Sequence, residues 1–154
     1  MQVGVAGSVV WVRVDGRGTF QNSSGLKEFA AEMTRRGHRE FIVDLAGCEL
    51  MDSTFLGTLT GIALGLRPDG TLTVVRANPR NRDVLANLGL DRIFTVEEEA
   101  PEPGPTDMRS AEPGAPRPAR RETIVEAHEN LVAASPENAI RFKDVLEFLQ
   151  QKEP

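Results

Sequence analysis

The side chains most able to do chemistry lie in one short segment, Met51-Asp52-Ser53-Thr54-Phe55-Leu56-Gly57. A carboxylate and two hydroxyls stand directly before a periodic apolar run, which is the pattern of a helix N-terminus. The first backbone N–H groups of a helix lack intrahelical acceptors and form its positive end, so a phosphate added to Ser53 would be stabilised there. Helix capping by Asp52 or Ser53 is the alternative role, and the two roles are compatible.

Other nucleophilic or metal-binding side chains are sparse. Cys48 is the only cysteine, and His38 and His128 are the only histidines, so no cluster with metal-ligand spacing exists. We predict that Cys48 is a small buried residue and that both histidines are solvated. A small hydrolase that used Ser53 would need a base and oxyanion donors, and the sequence pattern contains neither. We therefore expect no enzymatic activity, no cofactor and no bound metal.

Composition restricts the class of protein further. The chain has 154 residues, 40% of them hydrophobic, and a net charge of −5, which suits one domain with an appendage. The negative charge argues against direct nucleic-acid binding. The longest apolar stretch, 55–66, is interrupted by glycine and threonine and is shorter than the roughly 20 residues of a membrane span. The N-terminus has no secretory pattern, so we predict a cytoplasmic protein that binds another protein.

The elements around this segment alternate between strands and helices. The pattern predicts the order ββαβαβαβ and hence an α/β fold, in which a mixed, mostly parallel sheet carries packed helices. The first helix should begin after the N-cap candidates Asn22, Ser23 and Ser24. The predicted strands are 3–6, 9–14, 41–45, 71–75 and 93–96, and the later helices follow Ser53 and span 81–88.

The C-terminal third differs in composition from the rest. Residues 1–97 form the predicted domain, whereas residues 98–121 are rich in proline and predict a flexible linker. Residues 122–152 predict an amphipathic helical hairpin that is too small to bury its own core. We expect the hairpin to dock reversibly on the domain, on a second copy of the chain in a homodimer, or on a partner.

The run from Asp44 to Leu59 resembles the central signature of the STAS domain of bacterial anti-sigma-factor antagonists. In that family an apolar strand ends in Asp, and a short loop leads to Met-Asp-Ser-Ser/Thr-Gly-Leu-Gly at the start of a helix. The order of elements is also similar, and residues 81–94 look like the family's next helix and closing strand. The resemblance covers residues 1 to about 97.

The resemblance implies a regulatory cycle centred on Ser53. Ser53 would be phosphorylated by a serine kinase that is itself an anti-sigma factor, with Thr54 as the second choice, and a PP2C-type phosphatase would remove the phosphate. The unphosphorylated protein would bind the kinase, and the phosphorylated protein would release it. A second interpretation is a STAS scaffold, or an accessory subunit of a lipid-transport complex, that works without phosphorylation.

Two departures from the family pattern affect the predicted partner surface. Phe55 stands where the family usually has Gly, and it is either a core residue or an exposed anchor. The loop 16–23 lies beside the phosphosite in the family and lacks its usual acidic residue. The residues that we predict to contact a partner are Asp52, Thr54, Phe55, Arg17, Thr19, Gln21, Asn22 and Asp44.

Overall fold

The computed structural model describes residues 1–111 and 119–150. The strands are β1 (Gln2–Ala6), β2 (Val9–Arg13), β3 (Gly16–Gly18), β4 (Glu40–Asp44), β5 (Cys48–Met51), β6 (Thr71–Val75), β7 (Thr95–Glu97) and β8 (Arg109–Ser110). The helices are α1 (Phe20–Arg35), α2 (Ser53–Leu66), α3 (Pro79–Asn87), α4 (Arg121–Ala134), α5 (Glu137–Arg141) and α6 (Lys143–Gln150), with a 3-10 turn at Leu90–Arg92.

Six strands form a mixed sheet in the order β7-β6-β4-β2-β1-β8. The contacts β2–β4, β4–β6 and β6–β7 are parallel, whereas β1 pairs antiparallel with both β2 and β8. The predicted α/β class with a mostly parallel sheet is confirmed. Because the carboxyl ends of parallel strands share one edge, the loops after β4 and β6 emerge on the same side.

The two faces of the sheet bury different sets of residues. Along β2, Val10 and Val12 join the main core beneath the helices, whereas Trp11 points to the opposite face with Ile42. This alternation is the two-residue period of a strand, and here both faces are covered. The main core includes the large buried side chains Phe41, Leu45, Leu56, Leu59 and Leu85.

The segment after β7 covers the second face of the sheet. Met108 and Ala100 pack on the cluster of Trp11, and β8 extends the sheet beyond β1. The backbone approaches Gly4 so closely that a Cβ there would lie 2.6 Å from the Asp107 carbonyl oxygen. This part of the predicted linker 98–121 therefore packs against the domain, which its proline-rich composition does not predict. Residues 112–118 lie outside the described part of the chain.

Several predicted boundaries differ from the observed ones. Helix α1 begins at Phe20 and is capped by Thr19, not by Asn22, Ser23 or Ser24. The last strand predicted at 93–96 begins at Thr95, because the preceding residues close the 3-10 turn. Strands β3, β5 and β8 were not predicted from the sequence. β3 has the sequence Gly-Arg-Gly and is a strand only because it pairs with β5, a long-range contact that local propensity does not encode.

The tail folds back onto the domain as three helical segments. Helix α4 packs along α2, and α5 and α6 follow it with a break at Phe142. Leu131 of α4 is completely buried and belongs to the main core. The predicted hairpin 122–152 therefore docks within its own chain, and its last two residues lie outside the described range. Within the described residues, no helix combines the length and apolarity that a membrane span requires.

Candidate functional site

Asp52 holds the N-termini of two helices together. Its Oδ1 accepts a hydrogen bond from the Phe55 N–H at 2.8 Å, which caps α2. Its Oδ2 accepts from the Phe20 N–H at 2.8 Å, in the first turn of α1. Because each carboxylate oxygen takes an otherwise unpaired helix amide, Asp52 has a structural role at this site. The capping role considered from the sequence is observed for Asp52.

Ser53 is the first residue of α2 and is partly buried. Its Oγ lies 2.8 Å from Nε2 of His128 on α4. The other ring nitrogen, Nδ1, lies 2.7 Å from the Ile124 carbonyl oxygen. A carbonyl can only accept, so Nδ1 carries the proton, and in the neutral ring Nε2 accepts the hydroxyl proton of Ser53. The candidate phosphorylation site is thus a hydrogen-bond donor to the protein's own tail.

The prediction that His128 is solvated is wrong. The residue is 2% exposed, and its ring makes a T-shaped contact with that of Phe142 at a centroid distance of 5.2 Å. The apolar residues Ile124, Val125 and Val132 of this helix are only partly buried, whereas its buried residues are Ala127, His128 and Leu131. The spacing of Ala127 and Leu131, four residues apart, was a signal for this face, and it places His128 beside them.

The Ser53–His128 pair supplies the base that the sequence pattern lacked, but it does not form a complete catalytic set. In a hydrolytic triad a carboxylate orients the histidine and stabilises its protonated form. Here that position is taken by a backbone carbonyl, that of Ile124. The groove beside α4 is lined by other residues, including Thr58, Gly61 and Asn130, so it does not open onto the Ser53 hydroxyl.

The two residues after Ser53 point into the protein. Thr54 is 6% exposed and Phe55 is 0% exposed. A Cβ on Gly18 would lie 2.6 Å from Cδ1 of Phe55, so the ring packs directly on the β3 backbone. Phe55 is therefore a core residue, which is the first of the two alternatives considered for it. Neither side chain offers surface to a partner in this structure, in contrast to the predicted contact role.

The loop 16–23 lies beside Asp52, as predicted. The Asp52 N–H donates to the Gly18 carbonyl at 2.8 Å, which joins the loop to the start of α2. Thr19 and Asn22 form a reciprocal capping box at the start of α1, so both side chains serve the helix. Arg17 and Gln21 are exposed on the same edge, and Arg17 lies 3.8 Å from a carboxylate oxygen of Glu49.

Asp44 does not belong to the accessible surface. It is 1% exposed at the end of β4, and its carboxylate pairs with the guanidinium of Arg76 and lies 3.7 Å from that of Arg13. Its Oδ1 also accepts from the Ala46 N–H at 3.0 Å. The predicted partner contact is therefore corrected to a buried ion pair that holds the loop after β4.

Cys48 is buried, as predicted. Burial raises the pKa of its thiol, and the thiol donates a weak hydrogen bond to the Leu50 carbonyl at 3.4 Å. A thiol of raised pKa is a poor nucleophile, because the thiolate is the reactive form. Among the described residues, no group of histidine, cysteine and acidic side chains is arranged to hold a metal ion.

Residues 1–97 match the protein family described as "Mlab, STAS domain". No protein with a curated description matches the chain.

Three of the solved structures similar to the chain come from two proteins. The crystal structure of TM1081, described as a candidate anti-sigma factor antagonist from Thermotoga maritima, is 21% identical over 63% of this chain and 85% of that one, with a TM-score of 0.59. The NMR structure of TM1081 is 22% identical over 61% of this chain and 77% of that one, with a TM-score of 0.57. The anti-sigma factor antagonist SpoIIAA in its unphosphorylated form is 17% identical over 66% of this chain and 89% of that one, with a TM-score of 0.55. At these identities the likeness establishes a shared fold.

Proposed function

Because the chain belongs to the STAS domain family, whose model matches residues 1–97, we propose that it is a phosphorylation-controlled binding switch with Ser53 as the modified residue. The observation that carries the proposal is the position of Ser53 at the first residue of α2, directly after the Asp52 cap. A phosphate there meets the positive end of the helix. The only contact of the Ser53 hydroxyl that this proposal requires to break is its hydrogen bond with His128.

The proposed effect of phosphorylation is a change of surface charge. A phosphate adds about −1.5 to −2 charges at pH 7. It would stand next to the carboxylate of Asp52, on the edge where two helices begin. A partner docked over Ser53 would have to desolvate this charge, and each 1.4 kcal/mol or so of added cost weakens binding about tenfold.

The partners follow from the family resemblance. The unphosphorylated protein binds a serine kinase that acts as an anti-sigma factor, and the phosphorylated protein releases it. A PP2C-type phosphatase restores the unphosphorylated form. In this proposal the chain works in the cytoplasm and catalyses nothing, and the bond between Ser53 and His128 is a structural contact.

Ser53 is a better acceptor than Thr54. Thr54 is 6% exposed, and its carbonyl oxygen accepts from the Thr58 hydroxyl at 2.9 Å inside the helix. A kinase could reach its hydroxyl only if the first turn of α2 unwound. The Ser53 hydroxyl lies at the start of the helix and needs only the release of His128.

The test is phosphate transfer with site mapping. The purified chain is incubated with ATP and the serine kinase encoded beside its gene, and the phosphopeptides are identified by mass spectrometry. We expect labelling of the wild type and of Thr54→Ala, and none of Ser53→Ala. Label retained in Ser53→Ala would refute the assignment of this residue.

A second candidate function is a docking subunit of a transport complex that is not controlled by phosphorylation. One observation favours it: the Ser53 hydroxyl already has a hydrogen-bond partner within the chain, at 2.8 Å. Ser53→Asp separates the two functions. Partner affinity should fall by about tenfold or more for a phosphorylation switch, and it should stay unchanged for a constitutive docking subunit.

A further inference from the structure

Helix α2 carries a row of small residues, and the first three of them face the tail. Ser53, Gly57, Gly61 and Gly65 recur every four residues, so they lie close to one face of the helix. Glycine is a poor helix former, and three of them in one helix of 14 residues lower its intrinsic stability. Close approach of another backbone is the usual reason for such glycines.

Helix α4 makes that close approach. A Cβ placed on Gly57 would overlap the carbonyl oxygen and Cα of Ala127, and one on Gly61 would meet the side chain of Asn130. The Asn130 amide donates to the Gly57 carbonyl at 3.2 Å. The fit between α2 and α4 therefore depends on the absence of side chains on α2 and on a small residue at position 127.

Polar contacts fix the position of α4 along this face. Nε2 of His128 accepts a hydrogen bond from the Ser53 hydroxyl at 2.8 Å, and the Glu126 carboxylate forms an ion pair with the Lys27 ammonium of α1 at 2.9 Å. The first contact joins the tail to the candidate phosphosite itself, and the second joins it to the neighbouring helix α1. The tail thus covers the surface that a partner of Ser53 would have to reach.

The contact has the character of an exchangeable interface. Only Ala127, His128 and Leu131 of α4 are buried, and Leu131 is the one large aliphatic side chain among them. The adjoining Asn138 has a buried Oδ1 without a hydrogen-bond partner in the described part of the chain. Interfaces between parts of a chain that move relative to each other are more polar than permanent ones, and an unsatisfied buried oxygen lowers the stability of the docked state. Beside α4, an open groove of about 520 Å³ continues over Ala30 and Ile62, so the face is wider than the helix on it.

We propose that the face formed by Ser53, Gly57 and Gly61 is a helix-binding surface, and that α4 occupies it within the chain in competition with a helix of the partner. The competing helix carries a small residue opposite Gly57 and a polar group opposite Ser53. The assumption that a partner binds at this face rests on the proposed function. The occupancy by α4 is testable without any kinase or partner.

The first experiment uses Gly57→Ala in the full chain, with Gly65→Ala as the matched control. Both changes replace glycine by a better helix former in α2, but a Cβ on Gly65 meets nothing within 4 Å. Amide hydrogen exchange is measured for α4 and for strands β2 and β4. We expect Gly57→Ala to lower the protection of α4 by more than about tenfold and to leave the strands unchanged, because the tail opens as a separate unit. Gly65→Ala should resemble the wild type.

Two results would overturn the proposal. Unchanged protection of α4 in Gly57→Ala would mean that the close contact does not hold the tail. Equal loss of protection in α4 and in the strands would mean that α4 is an integral part of the domain and not an exchangeable occupant. Failure of Ser53 to accept phosphate is a separate result, and it would affect only the proposed function.

A second experiment asks whether the face accepts a helix from outside. The probe is a synthetic peptide with the sequence of residues 119–136, added to the full-length chain with Leu131→Ala, which weakens the chain's own tail. We expect binding to this variant, with at least about tenfold weaker binding to the wild type, whose tail competes at high effective concentration. Adding Gly57→Ala to the Leu131→Ala chain should abolish binding. Equal binding to all three chains, or to none, would refute a helix-binding face.

Discussion

The double cap at Asp52 leads to a graded prediction for stability. Its two oxygens accept from the Phe55 and Phe20 amides, each at 2.8 Å. Loss of one N-cap typically costs about 1 kcal/mol, with a range of about 0.5–2. Asp52→Ala removes both bonds, so we expect the free energy of unfolding to fall by about 2 kcal/mol. Asp52→Asn keeps an oxygen for Phe55 but turns an N–H₂ group toward the Phe20 amide, so its cost should be about 1 kcal/mol.

The assay is urea unfolding followed by circular dichroism. With a slope of about 1–3 kcal/mol per molar urea, Asp52→Ala should lower the midpoint by roughly 1 M, and Asp52→Asn by about half of that. Asp83→Ala is the matched control. It removes an exposed aspartate within α3, and its effect should stay within about 0.5 kcal/mol. The slope should be the same in all four chains.

Two outcomes would refute the double cap. If Asp52→Ala changed the free energy of unfolding by no more than the Asp83→Ala control, the carboxylate would not hold the helices. If Asp52→Asn matched the wild type, the bond to the Phe20 amide would contribute nothing. A loss of partner binding in Asp52→Asn at full stability would restore the role of a direct partner contact for Asp52.

Three further predictions concern the interior. Gly18→Ala should lower the free energy of unfolding by about 1–3 kcal/mol, because the added Cβ overlaps the Phe55 ring. Urea unfolding should show a much smaller cost of the same change in a Phe55→Ala background. An equal cost in both backgrounds would contradict the packing. Burial raises the pKa of the Cys48 thiol, so a thiol reagent at pH 8 should label the native chain at least about 100-fold more slowly than the unfolded chain. Since the unfolded chain loses the thiol proton first, the free energy of unfolding should fall as the pH rises above about 9. Rapid native labelling would refute this burial. Asp44→Ala removes a buried carboxylate and leaves the Ala46 amide without its acceptor, whereas the guanidinium of Arg76 is 44% exposed and can be solvated. The cost in the same unfolding assay should therefore be about 1–3 kcal/mol, and no measurable cost would be inconsistent with a structural role of Asp44.

The elements that the sequence predicted well are those with strong local signals. The strands β2, β4 and β6 are rich in β-branched residues, and α2 begins where an Asp-Ser pair precedes a periodic apolar run. These signals lie within a few residues of each other and do not depend on the rest of the fold. These signals predicted the α/β fold class, the order of the larger strands and helices, and the start of α2.

The features that the sequence did not predict depend on long-range contacts. β3 is a strand only through β5, and Asp44 is paired by Arg76, which is 32 residues away. The burial of His128 depends on the docking of α4 against α2, 75 residues from Ser53. No local periodicity encodes which surface a tail covers, so a histidine among charged residues looked solvated.

The bond between Ser53 and His128 couples phosphorylation to tail docking. The proton that Ser53 donates to Nε2 is the one that a phosphoryl group replaces, so with a neutral imidazole the contact would become one between two acceptors. The phosphate oxygens would also need the space that the ring fills at 2.8 Å from the Ser53 Oγ. The imidazole is held in its orientation, because Nδ1–H donates to the Ile124 carbonyl and the ring makes a T-shaped contact with Phe142. A phosphate on Ser53 therefore favours release of α4, and by linkage a docked α4 opposes phosphorylation to the same extent. On the proposed function, the docked tail excludes both the kinase and the partner, and release of the tail lets either one bind. Phosphorylation of Ser53 then removes the partner. The tail therefore adds a dormant state to the two states of a simple switch.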